Sequence, residues 1–127
     1  MDNSKQYVEM CEKAKEIQEL WEPEDGDFVF YHHSLGNGKE EICVEVGHNS
    51  TADRWLPRQD QLQEMVRGRN PIPAALLWDF ARWEDDASFS RYGLKSWEDL
   101  SFEMLWLAYV MHKLHNKVWN GTDWIAE

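Results

Sequence analysis

Eight tryptophans, at positions 21, 55, 78, 83, 97, 106, 119 and 124, are spread along a chain of only 127 residues. Each indole brings a large apolar body and one N–H donor that needs a partner. That much aromatic bulk fills a core without help from metals or disulfides, since a chain of this size buries about two thirds of its unfolded surface. Disorder requires low hydrophobicity together with high charge. Here 43% of the residues are hydrophobic, so only the charge condition is met. We therefore expect a single folded domain, residues 1–127, in which the indoles serve chiefly as interior filling.

The charge balance limits what such a domain can bind. Twenty-four acidic side chains against 13 basic ones give a net charge of −11. Affinity for a phosphate backbone comes from clustered Lys and Arg, so direct nucleic-acid binding is disfavoured. A local basic patch, for instance around Arg54, Arg58, Arg67 and Arg69, is an exception the sequence allows. A negative surface suits a partner with a basic surface, or simple solubility. Cys11 and Cys43 are far apart and form no C-x-x-C pair, which reads as free thiols in a reducing compartment. Met1-Asp2-Asn3-Ser4-Lys5 has neither the basic nor the apolar part of a signal peptide. No apolar run approaches the roughly 20 residues of a spanning helix. The expected location is a cytoplasm, with no membrane partner.

Hydrophobic periodicity supplies the elements. Tyr7, Met10, Cys11, Ala14, Ile17 and Trp21 recur at helical spacing and predict one amphipathic helix over 3–21, capped by Asn3 or Ser4. Pro23 and the Glu24–Asp27 turn end it. Phe28–His33 and Glu41–Val46 are β-prone. Ile42, Val44 and Val46 share one face, Cys43 and Glu45 the other, and the Gly36-Asn37-Gly38 turn predicts a hairpin between the two runs. Pro57 opens a short helix over 58–67. A third helix covers 73–85, where the acidic end Glu84-Asp85-Asp86 opposes the helix dipole and suggests an early stop or a basic neighbour. Ser96-Trp97-Glu98-Asp99 has capping-box spacing and opens a central helix over 97–115. Asn120-Gly121 predicts a second hairpin that extends the first pair of strands.

The fold class is therefore α+β, a small antiparallel sheet of two to four strands packed against about four helices. Its expected core holds Ile17, Phe28, Phe30, Ile42, Val44, Trp55, Leu62, Phe80, Leu100, Met104, Leu107 and Met111.

Reactive constellations are sparse. His112-x-x-His115 places two imidazoles on one side of a helix, but zinc needs a third and usually a fourth ligand, and His32, His33, His48 and Cys43 are distant in sequence. His32 and His33 alternate across a strand and cannot chelate together. The residue types offer three forms of nucleophilic or acid–base chemistry: one of these histidines as a general base, Cys43 beside a histidine, or paired carboxylates among Asp79, Glu84, Asp85 and Asp86 with Glu98 and Asp99, which could also hold a divalent cation. No EF-hand spacing is present. We assign no catalytic residue, metal site or cofactor, and we do not expect an enzyme. The densest acidic stretch is Asp79, Glu84, Asp85 and Asp86, and with Trp83 it is the candidate partner-binding surface. Trp78 and Trp83 lie about 140° apart round a helix, so one face cannot bury both. Two packed layers covering both is the expected solution. Arg54, Trp55, Arg58, Gln59 and Gln61 form the candidate ligand-binding set, with an indole for stacking and donors near a helix start.

The segment Trp55-Leu56-Pro57-Arg58-Gln59-Asp60-Gln61-Leu62-Gln63-Glu64-Met65 resembles a motif of small uncharacterised proteins from bacteriophages and prophages of Gram-positive bacteria. The likeness extends to Glu103–Met111 and Lys117–Gly121. It implies a small accessory protein in the cytoplasm of a bacterial host and carries no catalytic residue. In physical terms the motif is a strand exit, a proline turn and a short helix. The function expected is binding of a host or phage macromolecule with a basic surface, with inhibition of a host defence component as one concrete form. The alternative is a protein that binds and sequesters a nucleotide or signalling molecule.

Overall fold

The computed structural model describes residues 1–47, 53–68, 73–86 and 100–127. They form an α+β chain with two compact units, Met1–Arg58 and Gln59–Glu127. The expected capping box at Ser96–Asp99, and Trp97 with it, lies outside the described residues.

The first unit begins with α1 (Lys5–Lys13) and α2 (Lys15–Glu19). Ser4 is the N-cap of α1, its hydroxyl accepting from the Tyr7 N–H at 3.2 Å. The apolar stripe Tyr7, Val8, Met10, Cys11, Ala14 and Ile17 is buried, as the periodicity predicts. The expected continuous helix is instead broken at Ala14, whose ψ of 72° leaves the helical region. The Gln18 side chain accompanies this break, its Nε2 donating to the carbonyl oxygen of Cys11 at 3.0 Å.

Three strands follow, β1 (Phe28–Gly36), β2 (Lys39–Val46) and β3 (Arg54–Leu56), in the order β2-β1-β3 with both pairings antiparallel. Asn37 and Gly38 take φ of 55° and 74°, the left-handed pair that a tight hairpin demands. The register opposes Phe30 to Val44 and His32 to Ile42, so Phe28, Phe30 and His32 share a face with Ile42, Val44 and Val46. Val29 lies opposite Trp55 on the other face. Both Val29 and Phe30 are fully buried, so β1 is covered on both sides.

Ile42 does not join the core, being 36% exposed, and Phe28 and Val44 are only half-buried. The pattern assigned the face correctly but not its cover. α1 packs against β3, at the far side of β1, which leaves the apolar face of β2 running beyond the helix above it.

The second unit contains α3 (Gln59–Arg67), α4 (Pro73–Asp86), α5 (Phe102–His115), β4 (Lys117–Trp119) and β5 (Trp124–Ala126). α5 is apolar nearly all round, and Met104 and Trp106 to Met111 are buried, as expected of a central helix. Ser101 caps it by accepting from Met104 N–H at 3.1 Å, and Asn116 ends it in the left-handed conformation at φ 52°. Leu100 is half-buried and packs against Val118 rather than joining the interior. α4 runs through Glu84 and Asp85 to Asp86, so the early stop does not occur. The dipole penalty for such residues is about 0.3–1 kcal/mol, less than the packing of the aromatic residues of α4 provides. β4 and β5 pair with each other as a separate two-stranded sheet and do not extend β1 and β2. The Asn120 side chain accepts from the N–H groups of Thr122 and Asp123 at 2.9 and 2.8 Å, and this local turn closes the hairpin.

Candidate functional site

The aromatic residues of α4 divide sharply between inside and outside. Phe80 stacks on Trp106 with ring centres 3.9 Å apart and planes within 9°. Tyr109 meets Phe80 edge-on at 5.5 Å, and Trp83 lies 5.3 Å from Tyr109 and 6.0 Å from the His112 ring. Trp83 therefore faces this cluster and packs on Val118. Trp78 faces the other way and is 67% exposed, beside Leu77 at 54%. The expected burial of both indoles in two layers does not occur. A helix turns 100° per residue, which places Ala74, Trp78, Ala81, Arg82 and Asp85 on one outward strip, bordered by Leu77 and Asp79. All seven residues are exposed.

Of the acidic surface candidates, Asp79 and Asp85 are exposed on or beside this strip, and Glu84 is half-buried on the side nearer α5. Arg82 is the sole cation of α4, set against Asp79, Glu84, Asp85 and Asp86. The field of Asp79 reaches inward as well. Burial first, and then the charge of Asp79, raise the Tyr109 phenol above its ordinary value. The sequence reading missed Trp78 and Leu77 as surface residues. The 140° offset of Trp78 from Trp83 carried the signal, because only one of them can share the Phe80 face.

The candidate ligand-binding set is divided between the units. Arg54, Trp55 and Arg58 belong to the first, Gln59 and Gln61 to the second. Trp55 is 5% exposed, with Trp21 stacked parallel to it at 6.3 Å. Arg58 donates to the Gly26 carbonyl at 3.1 Å and lies 3.8 Å from the buried Asp27 carboxylate. Asp27 also accepts from Trp21 Nε1 at 2.9 Å and from the Glu24 N–H at 2.9 Å. Arg58 and Trp55 thus serve the turn and the interior. The Nε1 atoms of Trp55 and Trp119 are buried without a hydrogen-bond partner among the described residues, so these indoles are placed for bulk.

Two of the histidines, His32 and His112, are structural neighbours of carboxylates. His32 Nε2 lies 2.8 Å from Glu12 and its Nδ1 3.7 Å from Glu40, which ties α1 to the hairpin. His112 Nδ1 meets Glu127 at 2.6 Å, while His115 Nε2 is buried with no partner among the described residues. Cys43 lies 3.9 Å from the Glu41 carboxylate and faces Tyr31 across the ladder. Among the described residues, no three His, Cys, Asp or Glu side chains group as a metal site would require. No described helix is long and apolar enough to cross a membrane. Comparison with protein-family models, with curated proteins and with solved structures gives no match to this chain.

Proposed function

We propose that this chain is a binding protein that docks onto a macromolecular partner with a basic surface, and that the outward strip of α4 is its contact. The exposure of Trp78 carries this reading. A large aromatic side chain open to water, with Leu77 next to it, is the kind of anchor that dominates interface energies. Asp79 and Asp85 around it, on a chain of net charge −11, favour a basic partner and speed its encounter. The resemblance of Trp55–Met65 to small phage and prophage proteins supports a setting in a bacterial host, where the partner is a host or phage protein and blocking a defence component is one outcome. Binding is the whole activity in this reading, with no catalytic step and no cofactor.

A photo-crosslinking residue at position 77 tests it in a bacterial lysate. The expected product is an adduct with a basic protein that disappears at high salt and when Trp78→Ala is added. Adducts that persist in the Trp78→Ala variant at every salt concentration contradict the reading.

A further inference from the structure

The β2-β1-β3 sheet has two edges, and they are not alike. β3 is three residues long, and the Gln18 side chain bonds to both the N–H and the carbonyl of Trp55 on its outer side. β2 is eight residues long, pairs only with β1, and has no described strand beyond it. The Gly47 N–H bonds inward to the Asp27 carbonyl at 2.8 Å. Peptide groups alternate in direction along a strand. The backbone groups of Val46, Val44, Ile42 and Glu40 therefore point away from β1, as a row of donors and acceptors that no strand among the described residues pairs with. Such a row is a template for another strand, and natural proteins rarely leave a long one without use or protection.

Two further features define what fits there. A cleft of about 360 Å³ lies on the same face as Ile42, lined by Asn3, Lys5 and Val8 of the α1 end and by Glu40 and Ile42 of β2. A strand added beside β2 directs alternate side chains toward this cleft. On the opposite face the same strand meets Glu41 and Glu45, both exposed. A second copy of the chain carries the same net charge of −11 and is disfavoured as an occupant, and antiparallel self-pairing centred on Cys43 also sets Glu41 against Glu45 of the other copy. We infer that the β2 edge is a strand-addition site for an extended segment of a partner protein, with apolar residues facing Ile42 and Val44 and Lys or Arg facing Glu41 and Glu45. Backbone pairing supplies affinity and the alternating side chains supply selectivity. This site belongs to the first unit and does not depend on the α4 contact.

The test uses the full chain and a capped peptide alternating Lys with Val and Ile, read by fluorescence anisotropy and by amide hydrogen exchange. An acidic counterpart with Glu for Lys, and the basic peptide with alternate amides N-methylated, are the comparisons. The basic peptide is expected to bind at least tenfold more tightly than either, and to slow exchange at Ile42 and Val44 tenfold or more. Ile42→Pro removes an outward donor from an exposed position without touching the β1 ladder, and should weaken binding at least tenfold. The exposed double variant Glu41→Lys with Glu45→Lys should reverse the preference toward the acidic peptide, which keeps the test valid if the proline variant unfolds. Equal binding of the N-methylated peptide, or no protection of Ile42 and Val44, overturns the inference and leaves only charge attraction.

Discussion

The Gln18 side chain bonds to the backbone of Trp55 as a neighbouring strand would, donating from Nε2 to the carbonyl at 2.9 Å and accepting the N–H on Oε1 at 2.8 Å. The same Nε2 donates to the Cys11 carbonyl, next to the break at Ala14. One amide therefore joins the helix break and closes the short edge of the sheet.

Gln18→Ala should destabilise the protein by about 1–3 kcal/mol, because it strands partly buried backbone groups of Trp55 and Cys11 in addition to removing the bonds. Gln18→Glu keeps the acceptor and loses the donor, so an intermediate loss is expected. Urea unfolding followed by circular dichroism measures both. A neutral Gln18→Ala contradicts the edge-closing role.

Two tryptophans in the second unit should respond very differently to truncation. Trp106 is buried against Phe80, and Trp106→Ala should cost about 3–5 kcal/mol. Trp78→Ala should change stability by about 0.5 kcal/mol or less, as surface substitutions do. Thermal unfolding of the two variants side by side checks the division between interior and exterior indoles.

Burial pushes the Cys11 thiol far above its ordinary value of 9.0, with the hydrogen bond from Tyr7 opposing and Asp2 adding slightly. The folded chain then holds the proton while the unfolded chain releases it, so stability falls as pH rises past the unfolded value. The contribution is complete below about pH 8 and declines above it by at most about 1.4 kcal/mol per pH unit. Cys11→Ala should flatten that alkaline slope in urea titrations from pH 8 to 10. A thiol reagent should label Cys43 in the native protein and reach Cys11 only after unfolding.

On the hairpin, the Tyr31 phenol is pushed up to about 12, first by the hydrogen bond it donates to Glu45 and then by Cys43. Glu45→Gln should bring its titration down toward about 10. NMR titration of the Tyr31 ring reads the change directly, and an unchanged midpoint in the variant contradicts the assigned cause.

Much of the fold was legible because local chemistry specified it. Gly36-Asn37-Gly38 forced the hairpin, alternation from Ile42 to Val46 gave the faces, and the uninterrupted apolar run of α5 announced a central helix. What escaped depended on partners distant in sequence. The break at Ala14 accompanies bonds from Gln18 that reach across to Trp55, and Ile42 stays exposed because α1 packs chiefly on β3 and leaves a cleft between its start and β2. The second hairpin forms its own sheet, and nothing in Asn120-Gly121 distinguishes that from extending the first. At the candidate surface, acidic composition points to α4 and to Trp83, but Trp78 is the indole that stands outside. Helical geometry showed that one of the two had to be exposed, and only the position of α5 decided which.

Affinity capture from a bacterial lysate is the most direct test that the exterior works by docking. Wild-type chain and a variant carrying Trp78→Ala, Asp79→Lys and Asp85→Lys, both confirmed folded, would be compared at low and high salt. The account predicts a basic protein retained by the wild type at low salt, reduced at least tenfold by the variant, and released by salt. Equal retention by both chains, or retention of a small molecule in place of any macromolecule, contradicts it.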